Sequence, residues 1–395
     1  MRWSAIVGSV CTPTFVYDES VLVSNCSRII DIARAVGLHN RLKLCAAYFT
    51  NSQPHLFRIL TMHGIGIVLQ TYEELVQVRK FGLDAPLTVS PSYLSDIEIE
   101  EWIGSGIERL NLAGLQDVEY FVSRNSDVRP SVRLDLSEGS NQRTGIKPSQ
   151  YVELNRICPK GIDRLHVYIG TGSDISAFVE ALDKVFSVMR DHFPTARTIN
   201  LGGGFAYDYD TGEHFPWEVY LTNLVTKAKE HNVPAQTRFV VEPGRDLFAD
   251  CGTLITKIKR IVHTDNAIQV ATDASYTLMP SATVRERQHR ITFLDGDFHE
   301  LQPGDEKGRL SGCSTMSRDY LLPGEIILPA QLTDARYVVV HDVGAYCASQ
   351  HMRFLNVRPP AEVLIDRAGR LRLIATRGPY DDGSRLIPRE PGELK

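Results

Sequence analysis

The sequence has no long hydrophobic run. No apolar stretch approaches the roughly 18 residues that a membrane helix needs, so no membrane association is expected. The opening Met1–Gly8 offers too short an apolar stretch for a signal peptide. Cysteine pairing is also lacking. The seven cysteines (Cys11, Cys26, Cys45, Cys158, Cys251, Cys313 and Cys347) are scattered, odd in number and never in a CxxC pair. That pattern signals neither a disulfide framework nor a zinc site, and fits reduced thiols in a cytoplasmic protein. Nor is there an excess of charge of one sign: the net charge is −5 with the signs interspersed, so no nucleic-acid partner is expected. The His–Asp neighbours at 191–192, 263–265 and 341–342 lack metal-ligand spacing. No metal and no nucleophilic triad are indicated.

With 395 residues, 43% hydrophobic and 23% charged, the chain has room for two domains of ordinary globular composition. Between about residues 20 and 245, short apolar runs alternate with helical patterns. The runs are 42–49, 65–70, 86–90, 109–113, 131–136, 165–170, 198–201 and 239–242. The stretches 53–63, 72–81, 174–191 and 216–231 carry apolar residues at three- and four-residue spacing, as core-facing helices do. Eight such alternations predict a parallel sheet closed into a barrel, with an open doubly wound sheet as the alternative. After Arg245 the helical periodicity fades, and strand-like segments at 253–262, 267–271, 324–328, 337–341 and 362–365 predict a mostly antiparallel β domain. The expected architecture is an N-terminal (β/α)8 barrel over 20–248 and a C-terminal β domain made from 1–19 and 249–395. The segment 295–309, rich in Gly, Pro and acidic residues, is expected to be a solvated loop, and the tail after Arg377 to fray.

Two segments carry recognisable chemistry. Asn200-Leu201-Gly202-Gly203-Gly204-Phe205 follows a strand, and three consecutive glycines let backbone N–H groups approach an anion. Val240-Val241-Glu242-Pro243-Gly244-Arg245 ends the last barrel strand, placing a carboxylate, a bare amide and a guanidinium at the barrel mouth, where such folds bind ligands. Arginine suits bidentate phosphate recognition. Together they predict a phosphate site at neighbouring strand ends. His166, on a strand, is expected to be a hydrogen-bonded core histidine rather than a ligand.

These segments, with Thr12-Pro13-Thr14-Phe15-Val16-Tyr17-Asp18, Asp273-Ala274 with Pro280, Asp342-Val343-Gly344-Ala345-Tyr346 and Arg358–Val363, resemble the diaminopimelate and ornithine decarboxylases in order and spacing from about 12 to 366. These are pyridoxal-phosphate enzymes on an alanine-racemase-type barrel. The resemblance implies that Gly202, Gly203, Gly204, Gly244, Arg245 and Tyr346 hold the cofactor phosphate. It further implies that Glu242 faces the pyridine nitrogen, keeping the ring an electron sink, and that Arg133 sits on the fifth strand where the family has an arginine. It also implies a homodimer with active sites shared across the interface.

The reactive end departs from the family. Family members read roughly Tyr-Ala-Val-Lys-Ala-Asn-Ser at the first barrel strand, where this chain reads Ala46-Ala47-Tyr48-Phe49-Thr50-Asn51-Ser52. Phe49 therefore stands at the position of the lysine that carries the cofactor. By the same resemblance Val68 replaces an aspartate, Tyr168 the histidine that stacks on the ring, Thr315 the cysteine given by the partner subunit, and Met316 its acidic neighbour. Lys43, six residues before Phe49, lies roughly 20 Å away at about 3.3 Å per residue and is no substitute. The expectation is a site that binds pyridoxal phosphate or another phosphorylated ligand non-covalently, for a repurposed enzyme or ligand-binding protein acting on an amino-acid-derived metabolite. Two alternatives stand beside it: an inactive relative that binds a protein partner, and an ordinary amino-acid decarboxylase.

Overall fold

The computed structural model describes residues 3–107, 109–125, 127–136, 144–265, 267–284 and 286–378. The tail expected to fray lies, beyond Gly378, outside the described residues. The chain divides into two compact units, Ser20–Asp250 and Met1–Glu19 with Cys251–Lys395. No helix among the described residues is long and apolar enough to cross a membrane.

After Thr14–Asp18 (β1), which belongs to the second unit, eight strands build the first: Leu42–Ala47 (β2), Gly66–Leu69 (β3), Leu87–Val89 (β4), Asn111–Leu112 (β5), Ser131–Leu134 (β6), Arg164–Val167 (β7), Thr198–Asn200 (β8) and Arg238–Val241 (β9). They pair in parallel in the order β4-β3-β2-β9-β8-β7-β6-β5. A parallel bridge between Val89 and Leu110 joins the two ends, so the sheet closes into the expected barrel rather than an open sheet. The helices between the strands start where their sequences provide caps. Thr71 and Ser95 each form a reciprocal capping box with the glutamate three residues on, Glu74 and Glu98. The helix Ile175–His192 starts on the Asp174 side chain and buries Phe178, Leu182, Val185, Phe186 and Met189, the three- and four-residue spacing of one face.

The second unit adds Gly252–His263 (β10), Ile268–Thr272 (β11), Ile291–Leu294 (β12), Pro303–Ser311 (β13), Ile326–Pro329 (β14), Tyr337–Val340 (β15), Ala361–Ile365 (β16) and Leu371–Ala375 (β17). Pairing is mostly antiparallel, with parallel contacts between β1 and β16 and between β11 and β13. A helix at Trp3–Val10 buries Trp3 and Ile6 against Val16, Ile255, Leu294, Val339 and Val363.

Two sequence expectations fail locally. The segment expected to be a solvated loop at 295–309 contains most of β13, paired on both sides by β11 and β14. Its charged residues are mostly exposed while Gly308 pairs closely with β11, so polarity marked one solvated face rather than a loop. A register shift between Pro303 and Lys307 accommodates the proline, which has no N–H to give to a ladder. The first barrel strand is also shorter than the apolar run 42–49: it ends at Ala47, and Tyr48–Thr50 forms a 3-10 turn.

Candidate functional site

Strands β7, β8 and β9 are neighbours in register, with His166 beside Asn200 and Asn200 beside Val240. Their C-terminal ends therefore reach the barrel mouth together. Glu242 follows β9 directly and is buried there. Asn200 Nδ2 donates to Glu242 Oε1 at 2.7 Å, and His166 Nε2 stands 3.6 Å from Oε2. Burial alone would raise the pKa of Glu242, but His166, Asn200 and the Arg133 charge together hold it below the usual carboxylate range. The site thus keeps an ionised carboxylate in a dry position.

His166 corrects the sequence expectation. Neither ring nitrogen makes a hydrogen bond of normal length although the side chain is only 2% exposed, and Nε2 instead faces Glu242 Oε2 at 3.6 Å. Arg133, on β6 beside His166, is also mostly buried; desolvation lowers its pKa, opposed by Glu242. Its guanidinium lies 5.5 Å from the Tyr168 ring centre, a cation–π distance, and its Nε finds no acceptor. Tyr168 in turn shares a hydrogen bond of 2.5 Å with Thr171.

The triple glycine forms a close-packed turn above this carboxylate. Asn200 Oδ1 accepts from the Gly202 N–H at 3.0 Å, and the Gly202 carbonyl accepts from the Glu242 N–H at 2.8 Å. Gly202 adopts φ +67°, which disfavours any side chain. A Cβ on Gly203 would stand 2.6 Å from the Glu242 carbonyl oxygen, so no larger residue fits without moving backbone. Phe205, next in sequence, packs 4.3 Å from Trp217, centre to centre, and 5.1 Å from Phe178, which pins the turn to the helices behind it.

Beyond Glu242, Gly244 precedes the short helix Arg245–Phe248. Arg245 is buried, with Nη1 donating to the Tyr209 hydroxyl at 2.7 Å and its guanidinium 5.7 Å from that ring. Asp246 is fully buried and anchors the turn: it accepts from Trp217 Nε1 at 2.7 Å and from the Phe215 N–H at 2.8 Å, and pairs with Arg28 and His214 at 3.1 and 3.0 Å. Sequence reasoning gave no role to Asn200, Tyr209 or Asp246. Asn200 was legible, since a polar residue two positions before Gly202 points to the same side of the strand as the carboxylate it serves.

The remaining residues singled out from sequence fall in both units. Phe49 is half-buried in the 3-10 turn just past β2, and Val68, fully buried, is paired in register with Ala47. Lys43 sits at the opposite, N-terminal end of β2. Tyr346, half-buried at φ +60°, and the exposed Thr315 and Met316 belong to the second unit. Among the described residues, no group of three or more His, Cys, Asp or Glu is placed to hold a metal.

Residues 26–249 match the family described as pyridoxal-dependent decarboxylase, pyridoxal binding domain. The chain belongs to this family. It is 24% identical over 364 residues to a diaminopimelate decarboxylase of Aquifex aeolicus, covering 86% of this chain and 84% of that one. A similar 24% over 409 residues, covering 94% and 92%, relates it to an L-glutamyl-[BtrI acyl-carrier protein] decarboxylase of Niallia circulans. Among solved structures, the diaminopimelate decarboxylase of M. jannaschii in complex with L-lysine superposes with a TM-score of 0.84 at 20% identity, over 97% of this chain and 94% of that chain. The lysine/ornithine decarboxylase of Vibrio vulnificus complexed with putrescine gives 0.78 at 20%, over 92% and 96%. These likenesses fit the barrel-plus-β-domain fold.

Proposed function

We propose that the barrel mouth holds pyridoxal phosphate without a covalent anchor, and that the protein decarboxylates an amino acid or amino-acid derivative. The observation that carries this reading is the buried Glu242 carboxylate, steadied by Asn200 and faced by His166 beneath the glycine turn. A carboxylate kept charged in a dry site suits a protonated pyridine nitrogen, and the donor set fits the cofactor for that reason. Gly202–Gly204 with Gly244 and Arg245 would hold its phosphate, and Tyr168, backed by Arg133, would lie against its ring. Bound there, the cofactor supplies an electron sink for the carbon that loses carbon dioxide. The protein's own part is positional. Glu242 keeps a proton on the ring nitrogen, and Asn200 fixes that carboxylate and the Gly202 amide together.

The relatives above are decarboxylases, which weighs for the decarboxylase alternative and against a purely partner-binding role. The distinctive point is Phe49. No lysine lies between Lys43 and Lys80, so the first barrel strand offers no amine at the mouth. Retention then rests on non-covalent contacts. We infer also that two copies form a homodimer, with the Gly312–Asp319 loop carrying Thr315 and Met316 to the neighbouring copy's site.

The test is spectroscopic. Added pyridoxal phosphate should bind, change its absorption and leave on dialysis, and borohydride should label no lysine of the first strand. Carbon dioxide should be released from an amino acid or its derivative only when the cofactor is present. Borohydride labelling of a lysine would replace the non-covalent reading with an anchored one; failure to bind the cofactor at millimolar concentration would remove both.

A further inference from the structure

The opposite end of the barrel, where the strands begin, carries a cavity of about 380 Å³. Five cations line it: Arg41, Lys43, Arg109, Arg164 and Arg238. Arg164, Thr198 and Arg238 are lateral neighbours at the starts of β7, β8 and β9, so three strands present this end at one level. Among the described residues, no Asp or Glu lines the cavity, in a chain whose net charge is −5. Barrel interiors are ordinarily filled by layers of branched apolar side chains, so this concentration of charge departs from the packing norm.

Among the described residues, the partners differ from one cation to the next. Arg164 Nε meets Asp163 at 3.1 Å, but the same carboxylate also serves Arg129 at 3.6 Å. Arg41 is occupied by the Thr237 and Pro234 carbonyls, at 3.0 and 3.4 Å, and lies 5.1 Å from the Phe239 ring centre. Lys43 and Arg109 make no ion pair among the described residues. Both line the cavity, and their charges oppose the burial and the Glu242 charge that push the Cys45 thiol up to about 12.

We propose that this cavity binds a small polyanion, of diphosphate or tricarboxylate size, at a site separate from the barrel mouth. Like charges held together in a partly desolvated space repel, and a ligand carrying several negative charges relieves that repulsion while Arg forks supply paired hydrogen bonds. The volume suits a small metabolite and is too small for a nucleic-acid strand or folded partner. Asn200 lines the cavity and also donates to Glu242 at 2.7 Å, so the two ends of the barrel share one side chain.

Calorimetric titration of the full chain at low ionic strength tests the site, using inorganic pyrophosphate and citrate as probes. Because pyrophosphate could also enter the glycine cradle, the titration is made in Arg245→Ala protein, where one probe per chain should still bind. Replacing both Lys43 and Arg109 by Gln in that background should weaken binding by at least about tenfold, the loss expected when charge-assisted bonds are removed. The tighter of the two probes identifies phosphate or carboxylate chemistry. Without anion, the double replacement should melt no lower than its parent, because it removes crowded like charges. If it does not fold, Lys43→Gln alone should still weaken binding about tenfold or more, as one charged hydrogen-bond donor lost predicts. The proposal is overturned if neither probe binds at millimolar concentration. It is equally overturned if affinity is unchanged in the neutralised variants, which would mean an adventitious ion only.

Discussion

Replacing Asp246 by Asn keeps the shape of the side chain and removes its charge from the hub that holds the Gly244–Arg245 turn. Asp246 takes hydrogen bonds from Arg28, His214, Trp217 and the Phe215 N–H, and His214 Nε2 reaches Asp250 at 3.2 Å. Burial raises the pKa of Asp246, but these donors outweigh it and hold the carboxylate below its ordinary range. Breaking a buried ion pair by removing one partner costs about 3–5 kcal/mol. Arg28 and His214 remain 29% and 23% exposed and can take water, so the lower end, about 3 kcal/mol, is expected here. For a unit of this size that lowers the melting temperature by roughly 6–12 °C.

The same hub gives a pH signature. Burial lowers the pKa of His214, but its bonds to Asp246 and Asp250 reverse this and raise it to about 9. A raised folded-state pKa contributes stability that is complete below the unfolded value, near 6.5, and lost as pH rises through about 9. Its limit is about 3 kcal/mol, at about 1.4 kcal/mol for each tenfold change in proton affinity. Denaturant unfolding followed by tryptophan emission at pH 6, 8 and 10 should show the wild type losing stability across that range, and Asp246→Asn losing much less. An Asp246→Asn protein within about 1 kcal/mol of wild type, or an equal loss with pH in both, refutes the reasoning.

Three further outcomes are expected. Gly203→Ala places a Cβ against the Glu242 carbonyl and should cut pyridoxal phosphate affinity at least about tenfold in a fluorescence titration, with the overall fold retained by circular dichroism. Phe49→Lys restores an amine just past β2; borohydride should then label the first-strand peptide, while decarboxylation stays weak because Val68, Tyr168, Thr315 and Met316 are unchanged, as product analysis would reveal. Sedimentation should give a homodimer at micromolar concentration, and a 44.2 kDa monomer throughout would contradict the shared-site arrangement.

The glycine loop and the Glu-Pro-Gly-Arg loop were legible because their chemistry is local. A strand followed by three glycines, and a strand followed by Glu-Pro-Gly-Arg, each carry turn geometry and ligand groups within six residues. The end of β2 was not legible in the same way. Apolarity runs unbroken from Ala46 to Phe49, and nothing in hydrophobicity separates a strand from the buried 3-10 turn that follows it. The start of β13 failed for the opposite reason. Its acidic residues read as loop, yet a strand with one solvated face needs few buried positions, and Gly308 and Leu310 suffice. Asp246 was missed because its four partners come from residues 28, 214, 215 and 217, distances in sequence that no local pattern records.

His166 shows how the polar interior of the barrel could have been read. Apolar runs identified the strands through the faces packed under the helices, which left the alternate positions unexamined. Those positions are polar on several strands in succession: Asn111 donates to Ser90 at 2.8 Å and accepts from Ser131 at 2.5 Å, while Asn200 donates to Glu242. Arg164, His166 and Tyr168 occupy the same alternation on β7 and just beyond it, running from the cationic cavity to the mouth. Burying so many polar groups costs stability unless they pair with each other or with a ligand. Several of them pair across strands, and His166 faces Glu242 at 3.6 Å without a hydrogen bond of normal length. His166 stands 3.6 Å from the Glu242 carboxylate in this polar interior, and the period-two alternation at residues 164, 166 and 168 was the sequence signal for it.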